Sequence, residues 1–154
     1  MNQSTTSKLT RRLIRYGVLL FLLGLITGFL IPAMRNPRMG LSSHLEGVQN
    51  GMLLILFGLI WGRLKLSDRA LKLGYGLALF GTYTNWITTL MAGIWGAGAE
   101  MMPIAGGEFS GLVWQEVFIK GGLFALSITM VLVSGMLLWG LRGSECLGID
   151  HAQR

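Results

Sequence analysis

Four long apolar stretches alternate with short polar segments along the chain. The stretches cover roughly residues 13–34, 44–62, 70–96 and 115–141. A helix needs about 20 apolar residues to span the hydrocarbon core of a bilayer, and each stretch comes close to or exceeds that length. The pattern therefore predicts an all-α integral membrane protein with a four-transmembrane-helix bundle.

Helix-breaking and helix-capping residues separate the stretches. Pro32 and Pro37 are expected to stop the first helix, and Ser42 and Ser43 are expected to cap the second. Ser67 is expected to cap the third helix. The segment WGAGAEMMPIAGGEFSG, residues 95–111, is rich in glycine and predicts a non-helical connection.

Composition supports a membrane protein. Hydrophobic residues make up 52% of the chain and charged residues only 13%, whereas a soluble domain carries about a quarter charged residues. The net charge of +6 comes from Lys and Arg at the ends of the apolar stretches. Cations in these places indicate topology and contacts with lipid headgroups, so no nucleic-acid partner is expected.

The distribution of Lys and Arg predicts the orientation of the helices. Ten of the 13 cations fall in the N-terminal arm, in the connection after the second stretch or in the tail. Arg35 and Arg38 lie on the other side, and Lys120 lies within the fourth stretch. The positive-inside rule then places both termini in the cytoplasm of a multi-pass plasma-membrane protein. The expected parts are a cytoplasmic arm (1–12), a four-helix membrane domain (13–142) and a cytoplasmic tail (143–154).

A stripe of glycines follows a histidine on the second helix. At 100° per residue, His44, Gly47, Gly51, Gly58 and Gly62 share one narrow face. A flat, bulky group could lie against such a groove, and so could a neighbouring helix. Gly47 and Gly51 are therefore candidate cofactor-binding residues next to His44.

Polar side chains inside the apolar stretches are candidate functional residues, because such groups are costly in a bilayer. His44 and Asn50 lie on the second helix, and Tyr83 and Asn85 lie on the third. Asn50 lies about 120° round the helix from His44. These two side chains of one chain are therefore poorly placed to meet across a small ligand, unless each serves a different side of a subunit interface. The asparagines could instead link helices.

Two carboxylates are expected to form ion pairs. Glu116 and Lys120 have the i, i+4 spacing and order that favour a pair on a helix. Glu46 lies just inside the second stretch, where Arg35 or Arg38 could pair with it, and the sequence does not choose between them.

A single axial histidine limits the possible metal chemistry. The only histidines are His44 and His151, which lies in the tail, so a bis-histidine haem within one chain is not expected. His44 as the only protein ligand would leave the opposite face of a haem open, which suits activation of a ligand. The residues alone leave three classes open: an enzyme, a non-catalytic haem-binding or assembly subunit, and a small transporter.

Three separated motifs resemble the hydroxylaminobenzene mutase family of small membrane isomerases. They are NPRMGLSSHLEGVQNGM, then GTYTNW with IWGAG, and then MMPIAGG. The similarity extends from about residue 13 to 142. The family in turn resembles styrene oxide isomerase, a four-helix membrane enzyme that forms a trimer with haem b at its subunit interfaces.

The resemblance implies roles for particular residues. In styrene oxide isomerase the histidine that binds the iron precedes an active-site asparagine by six positions, as His44 precedes Asn50. A second asparagine on the next helix matches Asn85. Where that enzyme has a functional aspartate and tyrosine, this chain has Gly81 and Thr89, which argues against epoxide isomerisation.

The resemblance further implies a homotrimer that converts an aryl hydroxylamine, reached from the lipid bilayer, into an ortho-aminophenol. Haem b bound by His44 is expected to act as a Lewis acid on the substrate. Asn50, Asn85 and Tyr83 are expected to be the catalytic residues that orient it, although Tyr83 does not occupy a matching position.

Overall fold

Five α-helices make up most of the part of the chain that the structure describes. The computed structural model describes residues 3–142, with side chains from residue 6, so the predicted tail lies outside the described residues. The helices are α1 (Gln3–Leu30), α2 (Pro37–Trp61), α3 (Asp68–Trp95), α4 (Pro103–Gly106) and α5 (Val113–Gly140), and a 3-10 turn (Ile31–Ala33) follows α1. No strand forms between residues 3 and 142, so the predicted all-α class is confirmed.

Two of the helices are long and apolar enough to cross a membrane. They are Thr6–Ala33, which includes the 3-10 turn, and Val113–Gly140, with mean hydropathies of 2.1 and 2.0. Helices α2 and α3 contain 25 and 28 residues, which corresponds to about 38 and 42 Å at 1.5 Å per residue. The two most apolar helices suggest that the protein associates with a membrane.

The first turn of α2 differs from the prediction. Asn36 caps this helix, and its side-chain oxygen accepts hydrogen bonds from two backbone N–H groups at 3.1 and 3.3 Å. Pro37 begins α2 rather than ending α1, because proline needs no N–H partner at the first helical position. The predicted caps Ser42 and Ser43 are wrong, since both residues lie inside α2. Ser67 caps α3 as predicted.

The glycine stripe of α2 packs against the backbone of α1. A Cβ atom added to Gly24 would lie 2.6 Å from the carbonyl carbon of Gly47, and one added to Gly51 would lie 2.5 Å from the backbone nitrogen of Phe21. These distances are shorter than real side chains allow, so only glycine permits this approach. The sequence left open whether a flat, bulky group or a neighbouring helix lies against this stripe. The structure shows the neighbouring helix there. Gly47 and Gly51 therefore do not line an open groove within the chain.

Helix α3 packs against α1, α2 and α5. Two apolar clusters form the core. One includes Leu13, Leu20, Leu54, Trp61, Leu71 and Val133, and the other includes Met39, Ala92, Ala97 and Ile119. Between them lie residues 43–50 of α2 and 82–89 of α3, which carry most of the buried polar side chains of the described helices. We call these two segments the polar layer.

Replacing Gly47 by alanine is expected to destabilise the bundle. The new methyl group would lie 2.5 Å from the Cα atom of Gly24, and overpacking of this kind costs about 1–3 kcal/mol. The free energy of unfolding in detergent measures the effect. Gly76→Ala is the matched control because nothing lies within 4 Å of its added Cβ atom, so this variant should be neutral or slightly stabilised. Equal stability of the two variants would contradict the close contact.

Candidate active site

One carboxylate joins the two candidate asparagines. The side-chain amide of Asn50 donates to Oε2 of Glu46 at 3.0 Å and to its backbone carbonyl at 2.9 Å. The amide of Asn85 donates to the same Oε2 at 2.5 Å. The expected pairing of Glu46 with an arginine is therefore wrong. Arg35 instead donates to the carbonyl of Trp95.

Helix geometry explains how this cluster forms. Glu46 and Asn50 are four residues apart, so they share one face of α2. The packing of α3 on that face brings in Asn85, and Asn50 becomes 93% buried. Because both amide nitrogens point toward Glu46, the two amide oxygens face away from the carboxylate. The cluster can therefore offer hydrogen-bond acceptors to a polar guest.

The imidazole of His44 points toward α1. Its Nδ1 atom lies 2.8 Å from the carbonyl oxygen of Gly24, and the ring lies beside Gly28, where an added Cβ atom would be 3.0 Å from Nδ1. A carbonyl only accepts, so Nδ1 must carry the proton. The other ring nitrogen, Nε2, then keeps its lone pair and could bind a metal. The side chain is only partly buried.

His44 and the Glu46 cluster occupy different faces of α2. The imidazole contacts α1, whereas Glu46 accepts a hydrogen bond from Asn85 of α3 and another from Asn50. His44 and Asn50 of one chain are therefore separated, as predicted from their spacing of about 120° round the helix. A ligand that touches both groups would therefore have to reach round α2, or take one group from each of two chains.

Tyr83 lies apart from the asparagines. Its hydroxyl donates to the backbone carbonyl of Tyr16 on α1 at 2.9 Å. Residues 83 and 85 point about 200° apart on a helix, which separates Tyr83 from Asn85. The ring lines an apolar recess of about 380 Å³ together with Tyr16, Leu19, Leu79 and Phe80. The structure does not bring Tyr83 to the candidate site.

Trp86 links three helices inside the polar layer. Its indole N–H donates to the hydroxyl of Thr27 on α1 at 3.1 Å, and its ring lies against Gly47 of α2. The hydroxyl of Ser43 donates to the backbone carbonyl of Trp86 at 3.2 Å. This tryptophan was not among the candidate residues predicted from the sequence, although it follows Asn85 directly. Its indole connects α3 to α1 across Gly47.

The two departures from styrene oxide isomerase both lie on α3. Gly81 faces α5, where an added Cβ atom would be 2.6 Å from the sulfur of Met130. The hydroxyl of Thr89 donates to the backbone carbonyl of Asn85 at 2.9 Å. A larger acidic residue at Gly81 would therefore require the side chain of Met130 to move.

Glu116 anchors the connection between α3 and α5. Its carboxylate accepts hydrogen bonds from the backbone N–H groups of Gly98 and Gly111, at 2.9 and 3.0 Å. Lys120 pairs instead with Glu100 at 3.2 Å, and both side chains are exposed. The predicted pair of Glu116 with Lys120 is wrong because the loop supplies backbone donors that need a partner.

Asn36 ties the same loop to α2. Its amide nitrogen donates to the carbonyl oxygens of Ala105 and Gly106 at 3.0 and 3.1 Å, and its backbone N–H donates to Gly93 at 2.9 Å. Glu116 therefore holds the two ends of the loop, and Asn36 holds its middle next to the helix that carries His44 and Glu46.

These features define a small all-helical protein with apolar outer faces and a candidate active site in its polar layer. Residues 9–142 match the styrene oxide isomerase family. The chain therefore belongs to this family and is an isomerase, as the resemblance predicted.

Two hydroxylaminobenzene mutases of Ectopseudomonas oleovorans are similar over most of their length. The mutase HabB is 55% identical over 141 residues, which cover 92% of this chain and 86% of that protein. The mutase HabA is 43% identical over 125 residues, which cover 81% and 93%. No solved structure matches the chain. These similarities favour the enzyme over the non-catalytic subunit among the alternatives left open by the sequence.

Replacing Glu116 by glutamine is expected to loosen the loop. Hydrogen bonds to a charged group contribute about 1.5–3 kcal/mol, so the amide protons of Gly98 and Gly111 should exchange at least about tenfold faster. Hydrogen exchange of these amides measures the effect. The exposed Glu100→Gln variant should leave both rates unchanged, and equal exchange in the Glu116 variant would contradict the anchor.

Proposed function

We propose that this isomerase moves the hydroxyl group of a small aryl hydroxylamine from nitrogen to the ortho carbon of the ring. The product is an ortho-aminophenol. The hydrogen displaced from that carbon returns to nitrogen, so the formula is unchanged and no oxidant or reductant is needed. The names of HabB and HabA support this substrate class. The observation that carries the site is the pair of asparagines oriented by Glu46.

The proposed setting is the plasma membrane, with all four long helices spanning it and both termini in the cytoplasm. The lengths of α2 and α3 are sufficient for a hydrocarbon core of about 30 Å. Ten cations on the proposed cytoplasmic side support the orientation. We also propose a homotrimer, because the different faces used by His44 and Asn50 suit a site shared between chains. An apolar aromatic substrate would reach such a site from the lipid.

We propose haem b as the cofactor and His44 as its ligand. The hydrogen bond of Nδ1 with Gly24 fixes the tautomer that leaves Nε2 free to bind iron. Residues 3–142 form no group of three or more His, Cys, Asp or Glu side chains that could hold a metal. A metal at His44 would therefore take its further ligands from outside these residues, as from a porphyrin. When bound, the haem would supply a Lewis acid that weakens the N–O bond.

The side chains of the polar layer provide orientation and electrostatic stabilisation. The amide oxygens of Asn50 and Asn85 would accept hydrogen bonds from the O–H and N–H groups of the hydroxylamine. These contacts would fix the N–O bond relative to the ring. Cleavage of that bond leaves positive charge on the aryl-nitrogen fragment, which the partial negative charge of the amide oxygens stabilises. The apolar surroundings exclude the water that would otherwise add at the para position.

The detergent-purified protein is expected to convert phenylhydroxylamine into 2-aminophenol. Because the hydroxyl group moves within one molecule, the product formed in water labelled with oxygen-18 should carry no label. Liquid chromatography with mass spectrometry measures both the isomer and the label. Heat-denatured protein is the control. Labelled product, or the absence of 2-aminophenol, would contradict the proposed reaction.

Two single substitutions separate the proposed cofactor ligand from the proposed substrate contact. His44→Ala should remove both the Soret absorbance of the purified protein and its turnover. Asn50→Ala should keep the Soret band and lower kcat by about 100-fold, a typical effect of losing one electrostatic contact. Normal turnover in the His44 variant would exclude the haem proposal. Loss of the Soret band in the Asn50 variant would assign Asn50 a structural role instead.

A further inference from the structure

A carboxylate inside the polar layer needs a specific explanation. Removing an ionised carboxylate from water costs several kcal/mol, and hydrogen bonds must offset this. Within residues 6–142 the side chain of Glu46 is held by two asparagine amides and no cation. If α2 and α3 only needed a polar link, the two asparagines could bond directly to each other, because an amide both donates and accepts. The carboxylate therefore does something that two amides alone do not.

An ionised carboxylate accepts hydrogen bonds but donates none, so it dictates the orientation of its amide partners. Asn50 uses both of its N–H groups on Glu46, one on the carboxylate and one on the backbone carbonyl. The oxygen of its amide is therefore the atom that remains to accept a hydrogen bond from a ligand. Asn85 donates to the same carboxylate oxygen, so its amide oxygen also faces away from Glu46.

We infer that Glu46 is a positioning residue that turns both amide oxygens toward the substrate and so determines which ring carbon receives the hydroxyl group. The inference rests on the proposed function. An aryl hydroxylamine carries one O–H and one N–H donor, which match the two acceptors. Contacts at both points fix the distance between the migrating oxygen and the ortho carbon. With one contact, the fragment can turn, and the oxygen is lost to water, which adds at the para carbon.

Glu46→Met tests this role because it keeps the length of the side chain and removes the carboxylate oxygen that both asparagines share. Neither amide is then held by a carboxylate, so each can turn its oxygen away from the substrate. We expect kcat to fall at least tenfold and the ratio of 2-aminophenol to 4-aminophenol to fall with it. The Soret absorbance should stay, since Glu46 does not contact the imidazole side of α2. Glu100→Met makes the same chemical change at an exposed site and should alter neither value.

A double-mutant cycle separates positioning from a general loss of structure. If Glu46 acts through the two amides, Glu46→Met should change kcat less than twofold when Asn50 and Asn85 are both already alanine. The same fold loss in both backgrounds would overturn the inference. Glu46→Asp keeps the charge but shortens the side chain, and it should also lower the ortho-to-para ratio if Glu46→Met does not fold.

The outcomes distinguish this inference from the proposed function. If the wild-type protein makes no 2-aminophenol, the proposed function fails and the inference fails with it. If the wild-type protein makes 2-aminophenol and the folded Glu46 variants keep both kcat and the isomer ratio, the inference alone is overturned.

Discussion

The close contact of Gly24 with Gly47 is the constraint on which the rest of the structure depends. Because neither residue has a side chain, the backbones of α1 and α2 touch. The carbonyl of Gly24 can then reach the imidazole of His44, and the indole of Trp86 can lie across Gly47 to reach α1. A single methyl group at this contact would move all of these groups together. The glycines therefore act indirectly, by setting the positions of their polar neighbours.

The polar layer and the apolar clusters have different roles. The two clusters bury large side chains above and below the layer and provide most of the driving force for packing. Inside the layer, polar groups find partners within the protein. The buried hydroxyls of Thr82, Thr88 and Thr89 bond to carbonyls of the preceding turn of α3. The carboxylate of Glu46 accepts hydrogen bonds from two helices.

The sequence predicted the features that depend on local rules. Four apolar stretches predicted four long helices because length and hydropathy act within each segment. The angle between His44 and Asn50 followed from helix geometry. The partners of Glu46 and Glu116 could not be predicted in this way, because they lie on another helix and on a folded loop. Tyr83 was grouped with Asn85 on closeness in sequence, although a helix turns such neighbours apart. Haem, the trimer and the four-span topology remain predictions.

His44 and Glu46 are two residues apart on the same helix, α2, and this limits how the site can evolve. Rotation of α2 about its axis would move one of these side chains toward its partner and move the other away from its partner. The cofactor side and the substrate side therefore cannot be tuned independently by moving this helix. New specificities would have to arise on α3, where Gly81 and Thr89 already differ from the epoxide enzyme. Helix α2 would then serve as the fixed reference against which related enzymes diversify.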